Sequence, residues 1–445
     1  MRCAAWLAAL VAALAGAAAP AAADELRALV GGMLVDGTGG PPLADSVILI
    51  DGERITAVGQ IGTISIPATA EVISTEGMTV LPGLWDLQVH LTRLGHTDGA
   101  RWDETYLPLA ERVVMPAAAL QLLLSGVTSV RDVASPLEAA VSVRERVRAV
   151  RIPGPTLYVS GPALAKDPPP GARDYRLAVG NAADARQKAE RIARAGVDYL
   201  LVAGPAEFSE AELAAIATAA REVGVPWYAE VHHDADIAVA LGAGASGLLG
   251  LGTDVSEALP PAALSALSQS AARDKPVGWS VGASALTNYD WLLKNAEPLD
   301  DPRWRDGLPP IIADDVRGSL RRLPSITAYE TPTLRRAALG ARLHAARAAG
   351  ARLLVGSDAG LPAQLGSRAT WQEIEELVLE GGLTSLEAIH AATLGAATEL
   401  HAEHENGSVS PGKYADIIAV RGDALRHVER LQDVEVVLRH GRRYR

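Results

Sequence analysis

The chain has 445 residues, with 41 Lys plus Arg against 53 Asp plus Glu, a formal net charge of −12 and a single cysteine, Cys3. An acidic balance without a basic block argues against nucleic acid or an anionic membrane as partner, since both are polyanions. One cysteine so close to the N-terminus excludes intrachain disulfides and cysteine-built zinc sites.

The first stretch, "MRCAAWLAALVAALAGAAAPAAADEL", carries Arg2, then an Ala/Leu/Val run, then small residues before Asp24. That is the pattern of a secretory leader, residues 1–23, with cleavage expected after Ala23. A membrane anchor is the competing reading, but Gly16 and Pro20 interrupt the run, and about 20 strongly apolar residues are needed to span. The expected product is exported, periplasmic or secreted, with no membrane span once the leader is removed.

From Ala28 to Thr79 the chain reads as short strands. "DSVILIDGERITAVG" places two β-rich runs around Asp51-Gly52, a hairpin pattern. The tail segments "YADIIAV" and "VEVVLRHGRRY" have the same texture, so residues 24–80 and 401–445 are expected to form one small β domain from both chain ends.

Between them, over 81–400, strands and helices alternate. The strand runs are "LPGLWDLQVHL", "GVTSVRDV", "GPTLYVSG", "GVDYLLVAG", "VPWYAEVH", "ASGLLGLG" and "ARLLVGSDAG". Ser209-Glu210-Ala211-Glu212 and Thr384 to Glu387 are capping boxes opening amphipathic helices, and Gly224 stops the first of these. Short apolar strands alternating with such helices predict a parallel sheet covered by helices. No glycine-rich phosphate fingerprint follows the first strand, so the expected fold is α/β, a (β/α)8 TIM-type barrel with a small composite β-sandwich domain. Sites in such barrels sit at the C-terminal ends of the strands. Those ends carry Gln88 and His90, Leu201, Glu230 and His232, Gly250 and Asp358. Gln88 and His90, two apart on a strand, project to one face.

These runs, with "IPGPTLYVSGPAL" and the closing "LTSLEAIHAATLGAATELHAEHENGSVSPGKYADIIAV", resemble the amidohydrolase superfamily, in its imidazolonepropionase-like and Xaa-Pro dipeptidase-like branch. The resemblance covers nearly all of the chain after the leader. It implies a barrel with a β-sandwich and hydrolysis of C–N bonds at a one- or two-metal centre. Carried over residue by residue, the paired histidines of the first strand fall on Gln88 and His90. The lysine that bridges two metals falls on Leu201. The strand-five histidine falls on Glu230, with His232 two residues on, and the strand-six histidine on Gly250. The strand-eight aspartate, ligand and general base, is kept as Asp358, and a later histidine is replaced near Leu365 and Gly366.

Leucine offers no donor atom and glycine only its backbone, so a bridged metal pair is not expected. The remaining donors, His90, Asp358, Glu230 and Gln88, make at most a mononuclear site. The cofactor is left open between one divalent metal, Zn or Mn, and none. Two functional readings follow. One is a hydrolase of a small amide, lactam or dipeptide-like substrate, with Asp358 as general base and His232 orienting the scissile group. The other is a pseudoenzyme that binds a small ligand or partner through the retained pocket. Homo-oligomerisation stays open. His96 is read as a solvated loop residue, and His344, His390, His401, His404, His427 and His440 as structural. Ser129 and Ser357 lack the nucleophile-elbow context of a serine hydrolase. Thr287 to Pro310 is read as a loop and helix beside the pocket.

Overall fold

The computed structural model describes residues 26–169, 171–252, 258–294, 302–321 and 332–445. The leader and the middle of Thr287–Pro310 lie outside the described residues.

Two small β-sheets face each other. One orders its strands Arg54–Gln60, Ser46–Asp51, Leu26–Val30, Glu71–Ser74. The other runs Arg442–Arg443, Val434–Arg439, Ile417–Arg421, Met78–Pro82, Met33–Leu34, so the tail pairs directly with the N-terminal segment. Alternation along these strands turns Leu29, Ile48, Ile50, Val80, Ile417 and Leu438 into one buried cluster between the sheets. The expected hairpin forms, with Asp51 paired to Arg54 and Gly52-Glu53 as its two-residue loop, where Gly52 takes a positive φ.

The larger part is mixed α/β with parallel strands. The first three strands, Leu84–Val89, Val127–Asp132 and Thr156–Val159, form one parallel sheet. The fourth to eighth, Leu200–Ala203, Trp227–Glu230, Gly247–Leu249, Gly278–Ser280 and Arg352–Leu354, form another, extended by Ala163–Ala165 and Arg176–Ala178. Among the described residues the ladders do not close into one ring, which differs from the closed barrel expected from sequence. The interruption after the third strand has a local cause. Gly161, at φ 65°, bends the chain, so Thr156–Val159 pairs backward with the second strand while Ala163–Ala165 pairs forward with the fourth. At the other junction, Leu87 N donates to Val355 O at 2.8 Å and Asp358 N to Gln88 O at 2.9 Å, outside any regular ladder.

Tyr199, Leu201, Tyr228 and Leu249 pack together on the inner side of the strands. Arg131 joins them, its guanidinium 4.3 Å from the Tyr228 ring centroid and donating to Leu87 O and Ser280 Oγ at 2.7 Å each. Among the described residues, one helical stretch, Leu107–Leu124, is long and apolar enough to cross a membrane, and 61% of it is buried. Its Met115, Ala117, Leu122 and Leu123 belong to the main core.

Gly83, between the sandwich and the first strand, meets the second strand at close range. A Cβ there would lie 2.1 Å from Thr128 Oγ1 and 2.7 Å from Thr128 Cβ. Thr128 is fully buried, and its β-carbon is fixed to the backbone, so the clash cannot be relieved by a rotamer change. Gly83→Ala is expected to cost about 3 kcal/mol, read as a lower urea midpoint at unchanged slope. A loss below about 0.5 kcal/mol, the size of a surface change, would show that the two strands can part freely here.

Candidate functional site

The site is organised from the junction of the first and eighth strands. Asp86 is fully buried and accepts hydrogen bonds from Ser357 N at 2.9 Å, Ser357 Oγ at 2.5 Å and Thr370 Oγ1 at 2.7 Å. Burial pushes its carboxyl up, and these donors pull it partly back. By gripping Ser357, Asp86 fixes the turn that presents Asp358. Asp358 sits at φ 57°, a left-handed conformation that Asp tolerates better than most residues.

Three of the sequence-predicted residues meet there. Gln88 Nε2 donates to Asp358 Oδ1 at 2.6 Å, and His90 Nε2 lies 3.5 Å from the same oxygen. The other carboxylate oxygen faces Gly282, where a Cβ would stand 3.1 Å from Asp358 Oδ2. Gly250, at φ 75°, lies beside the Gln88 amide, a Cβ there being 3.7 Å from Nε2. Glycines after the sixth and seventh strands thus add no side chain beside the Gln88 amide or Asp358 Oδ2.

Glu230 and His232 form a second group. Arg176 Nη2 donates to Glu230 Oε1 at 2.7 Å, and His232 Nε2 is 3.7 Å from that oxygen. Burial raises the Glu230 carboxyl, but Arg176 and His232 outweigh it and hold the group well below the usual carboxylate range. The hydrogen bond to Glu230 in turn raises the His232 imidazole. His233 is the N-cap of the next helix, and its backbone N–H and that of His232 both donate to Asp236 Oδ2, at 2.8 and 2.7 Å. Of the His232-His233 pair, His232 lies against Glu230 and His233 caps the helix.

Two residues here escaped the reading of the sequence. Arg176 opens the short strand Arg176–Ala178 between the third and fourth strands, in a segment with no motif. Asp132, the last residue of the second strand, is fully buried, and its Oδ1 accepts from Leu91 N at 2.9 Å. Burial pushes it up to about 6. The alternation of "TSVRD" could have placed Asp132 at a strand end, against the chain where the first strand ends. His96 differs from the solvated residue expected. It is 3% exposed, lies with its ring centroid 5.5 Å from that of Trp102, and its Nδ1 accepts from Asp98 N at 3.0 Å.

A metal centre needs several free donors converging on one point. Leu201 is packed among Tyr199, Tyr228 and Leu249, Gly250 has no side chain, and Glu230 is engaged by a guanidinium. Gln88 turns its amide N–H, not its oxygen, toward Asp358. Among the described residues, no group of three or more His, Cys, Asp or Glu is placed to hold a metal ion. The residues present do not fit a metal pair, and they offer a single site His90, Asp358 and the amide oxygen of Gln88.

A parallel α/β unit with polar side chains gathered at its strand ends, joined to a two-sheet β unit, defines the class of protein. Residues 168–444 match the Amidohydrolase family, more than half of the chain, and the chain belongs to that family. No curated protein matches it in sequence. Among solved structures it is similar to the ochratoxinase of A. niger, at 22% identity and a TM-score of 0.70, over 95% of this chain and 96% of that one. A Xaa-Pro dipeptidase with bound methionine is similar at 21% identity and a TM-score of 0.69, over 94% of this chain and all of the other. Molinate hydrolase follows at 20% identity and a TM-score of 0.69, over 94% of each chain. At these identities the likeness is one of fold.

Proposed function

We propose that this chain is an exported amidohydrolase-family protein, a (β/α)8 TIM-type barrel with a composite β-sandwich from residues 24–80 and 401–445. In this reading it binds a small ligand at its strand ends without metal-dependent hydrolysis. The observation that carries it is the Arg176–Glu230 pair at 2.7 Å. The one substituted strand-end position that still bears an anionic oxygen donor is committed to a fixed guanidinium, and a cation already occupies its charge. Leu201 and Gly250 supply no donors to replace it.

A second reading is favoured by the convergence of Gln88, His90 and Asp358. Here His90 and Asp358, joined by Glu230 and Gln88, hold one Zn or Mn. Asp358 then serves as base and His232 orients a small amide, lactam or dipeptide-like substrate. Its class is that of the neighbours named as a dipeptidase and a hydrolase.

Elemental mass spectrometry of the purified chain after mild dialysis separates the two. The expected result is no stoichiometric transition metal, before or after incubation with Zn or Mn, and no difference on Asp358→Asn. A full equivalent that disappears in both Asp358→Asn and His90→Ala would overturn the first reading and establish the second.

A further inference from the structure

We propose that the ligand seated at the strand ends presents a protonated primary amine, held between Asp358 Oδ2 and the amide oxygen of Gln88; this rests on the ligand-binding reading above. Gln88 is 3% exposed, and its Nε2 is committed to Asp358 Oδ1 at 2.6 Å. That bond fixes which way the amide faces, because the flipped amide would set its oxygen against a carboxylate oxygen. Gln88 Oε1 is therefore an acceptor, and it is buried with no hydrogen-bond partner. Buried polar atoms of native proteins almost always have a partner, so an orphan beside an open carboxylate marks a place for a donor.

The second strand adds an acidic group at the neighbouring strand end. Asp132 is fully buried, with the Ser135 hydroxyl against its carboxyl. Its Oδ1 is fixed by Leu91 N, the residue after His90, so this carboxylate lies against the chain where the first strand ends. Asp358, Gln88 and Asp132 thus bring acceptor oxygens to adjacent strand ends. Arg176 and His232 are both drawn to Glu230, Arg131 donates to Leu87 O and Ser280 Oγ, and His90 lies on the Oδ1 side of Asp358, so none of these four is placed on Asp358 Oδ2. Gly282 puts no side chain beside Asp358 Oδ2 and Gly250 none beside the Gln88 amide, and the Asp358 side chain keeps 14% of its surface exposed.

The shape of the demand selects the donor. A guanidinium favours both oxygens of one carboxylate, and Asp358 Oδ1 is already taken by Gln88. A hydroxyl brings one hydrogen and no charge. An ammonium is compact, carries three N–H donors and can reach a carboxylate oxygen and an amide oxygen at once.

The test is an NMR titration of the full chain with n-butylammonium chloride, with n-butanol and sodium butyrate as neutral and anionic controls. The expected result is n-butylammonium binding about tenfold or more tighter than n-butanol, the size expected for a hydrogen bond to a charged group. Asp358→Asn, which keeps the side-chain shape and suits the same left-handed backbone, removes that preference. Gln88→Leu weakens it independently, so the inference stays testable if one variant fails to fold. Equal binding of amine and alcohol, preference for butyrate, or amine affinity unchanged in a folded Asp358→Asn each overturns it. If butanol or butyrate binds and is lost in Asp358→Asn, the ammonium assignment fails while the ligand-binding reading stands. If none of the three binds, the ammonium assignment also fails, and the metal measurement above decides separately whether the ligand-binding reading falls with it.

Discussion

Arg176→Met is expected to lower folding stability by ~3–5 kcal/mol at neutral pH, the range for removing one partner of a buried ion pair. The pair is at 2.7 Å, and its side chains are 16% and 17% exposed, too little for water to replace the lost guanidinium. The pH dependence should change sign as well. In the native chain the Glu230 carboxyl is held below its ordinary 4.5, so it contributes stability above that pH that is lost as pH falls through the folded value. With Arg176 gone, the burial that opposes it remains. The carboxyl then moves up, and stability falls as pH rises past about 4.5. His232 responds in the same direction in the native chain. Raised by Glu230, it gives stability that is full below its ordinary 6.5 and lost as pH rises through the folded value. Urea unfolding at pH 5 and pH 7 reads these changes, and the deficit of the variant should be smaller at the lower pH. Adding Glu230→Gln should recover most of the loss, because a neutral amide is far less costly to bury than a lone charge. A deficit below about 1 kcal/mol at both pH values would place the pair among solvent-screened surface bridges and weaken the case that Glu230 is unavailable to a metal.

What the sequence disclosed about this molecule depended on the range of the interactions involved. The capping boxes Ser209/Glu212 and Thr384/Glu387 form as read, because donor and acceptor lie three residues apart on one helix turn. The hairpin likewise needs only its own backbone, its loop falling on Gly52-Glu53, one residue beyond the Asp51-Gly52 pair that marks it. Gln88, His90 and Asp358 could be brought together because strand ends of a parallel α/β unit share one face, whatever the loops between them. Arg176 could not. It lies 54 residues before Glu230, and nothing in "DYRLAV" distinguishes it from a solvated arginine. The seventh strand, Gly278–Ser280, is three residues of Gly, Trp and Ser, too short to show a period. His96 was misread because polarity in a loop usually means solvent. Here Trp102 lies against its ring, and Asp315, on the helix Pro310–Leu320, faces Nε2 at 3.7 Å.

Glu373 provides the other large effect, through the helix that begins beside the site. It is fully buried on the helix Ala369–Leu379 and accepts Ala283 N at 3.0 Å and Ser284 N at 2.6 Å, capping the helix Ala283–Lys294 from outside. Those amides favour a carboxylate, yet burial dominates and pushes the group up to about 8, with Asp86 adding to the rise. A carboxyl raised from its ordinary 4.5 to about 8 binds its proton in the folded chain but not in the unfolded one across that window. Stability is therefore highest below the unfolded value and falls as pH rises, by at most about 1.4 kcal/mol per pH unit. Glu373→Gln abolishes that slope. At pH 5 the native group is protonated and, like the amide of the variant, offers one carbonyl oxygen to two N–H groups, so the two chains should lie within about 1 kcal/mol of each other. Toward pH 8 the variant should become the more stable, because the native chain then bears the cost of an ionised buried carboxylate. Other titrating groups, among them Asp132, Asp416 and His440, are common to both chains and cancel in the difference. Unfolding midpoints of the two chains at each pH give that difference, and parallel curves would mean Glu373 is ionised throughout. The consequence reaches the pocket, since Ala283 follows Gly282, and Gly282 is the floor beneath Asp358 Oδ2. A proton on Glu373 leaves one of the two amides without its carboxylate partner, so the cap that sets this floor is tightest when the carboxylate is ionised, under the conditions where it costs the fold most.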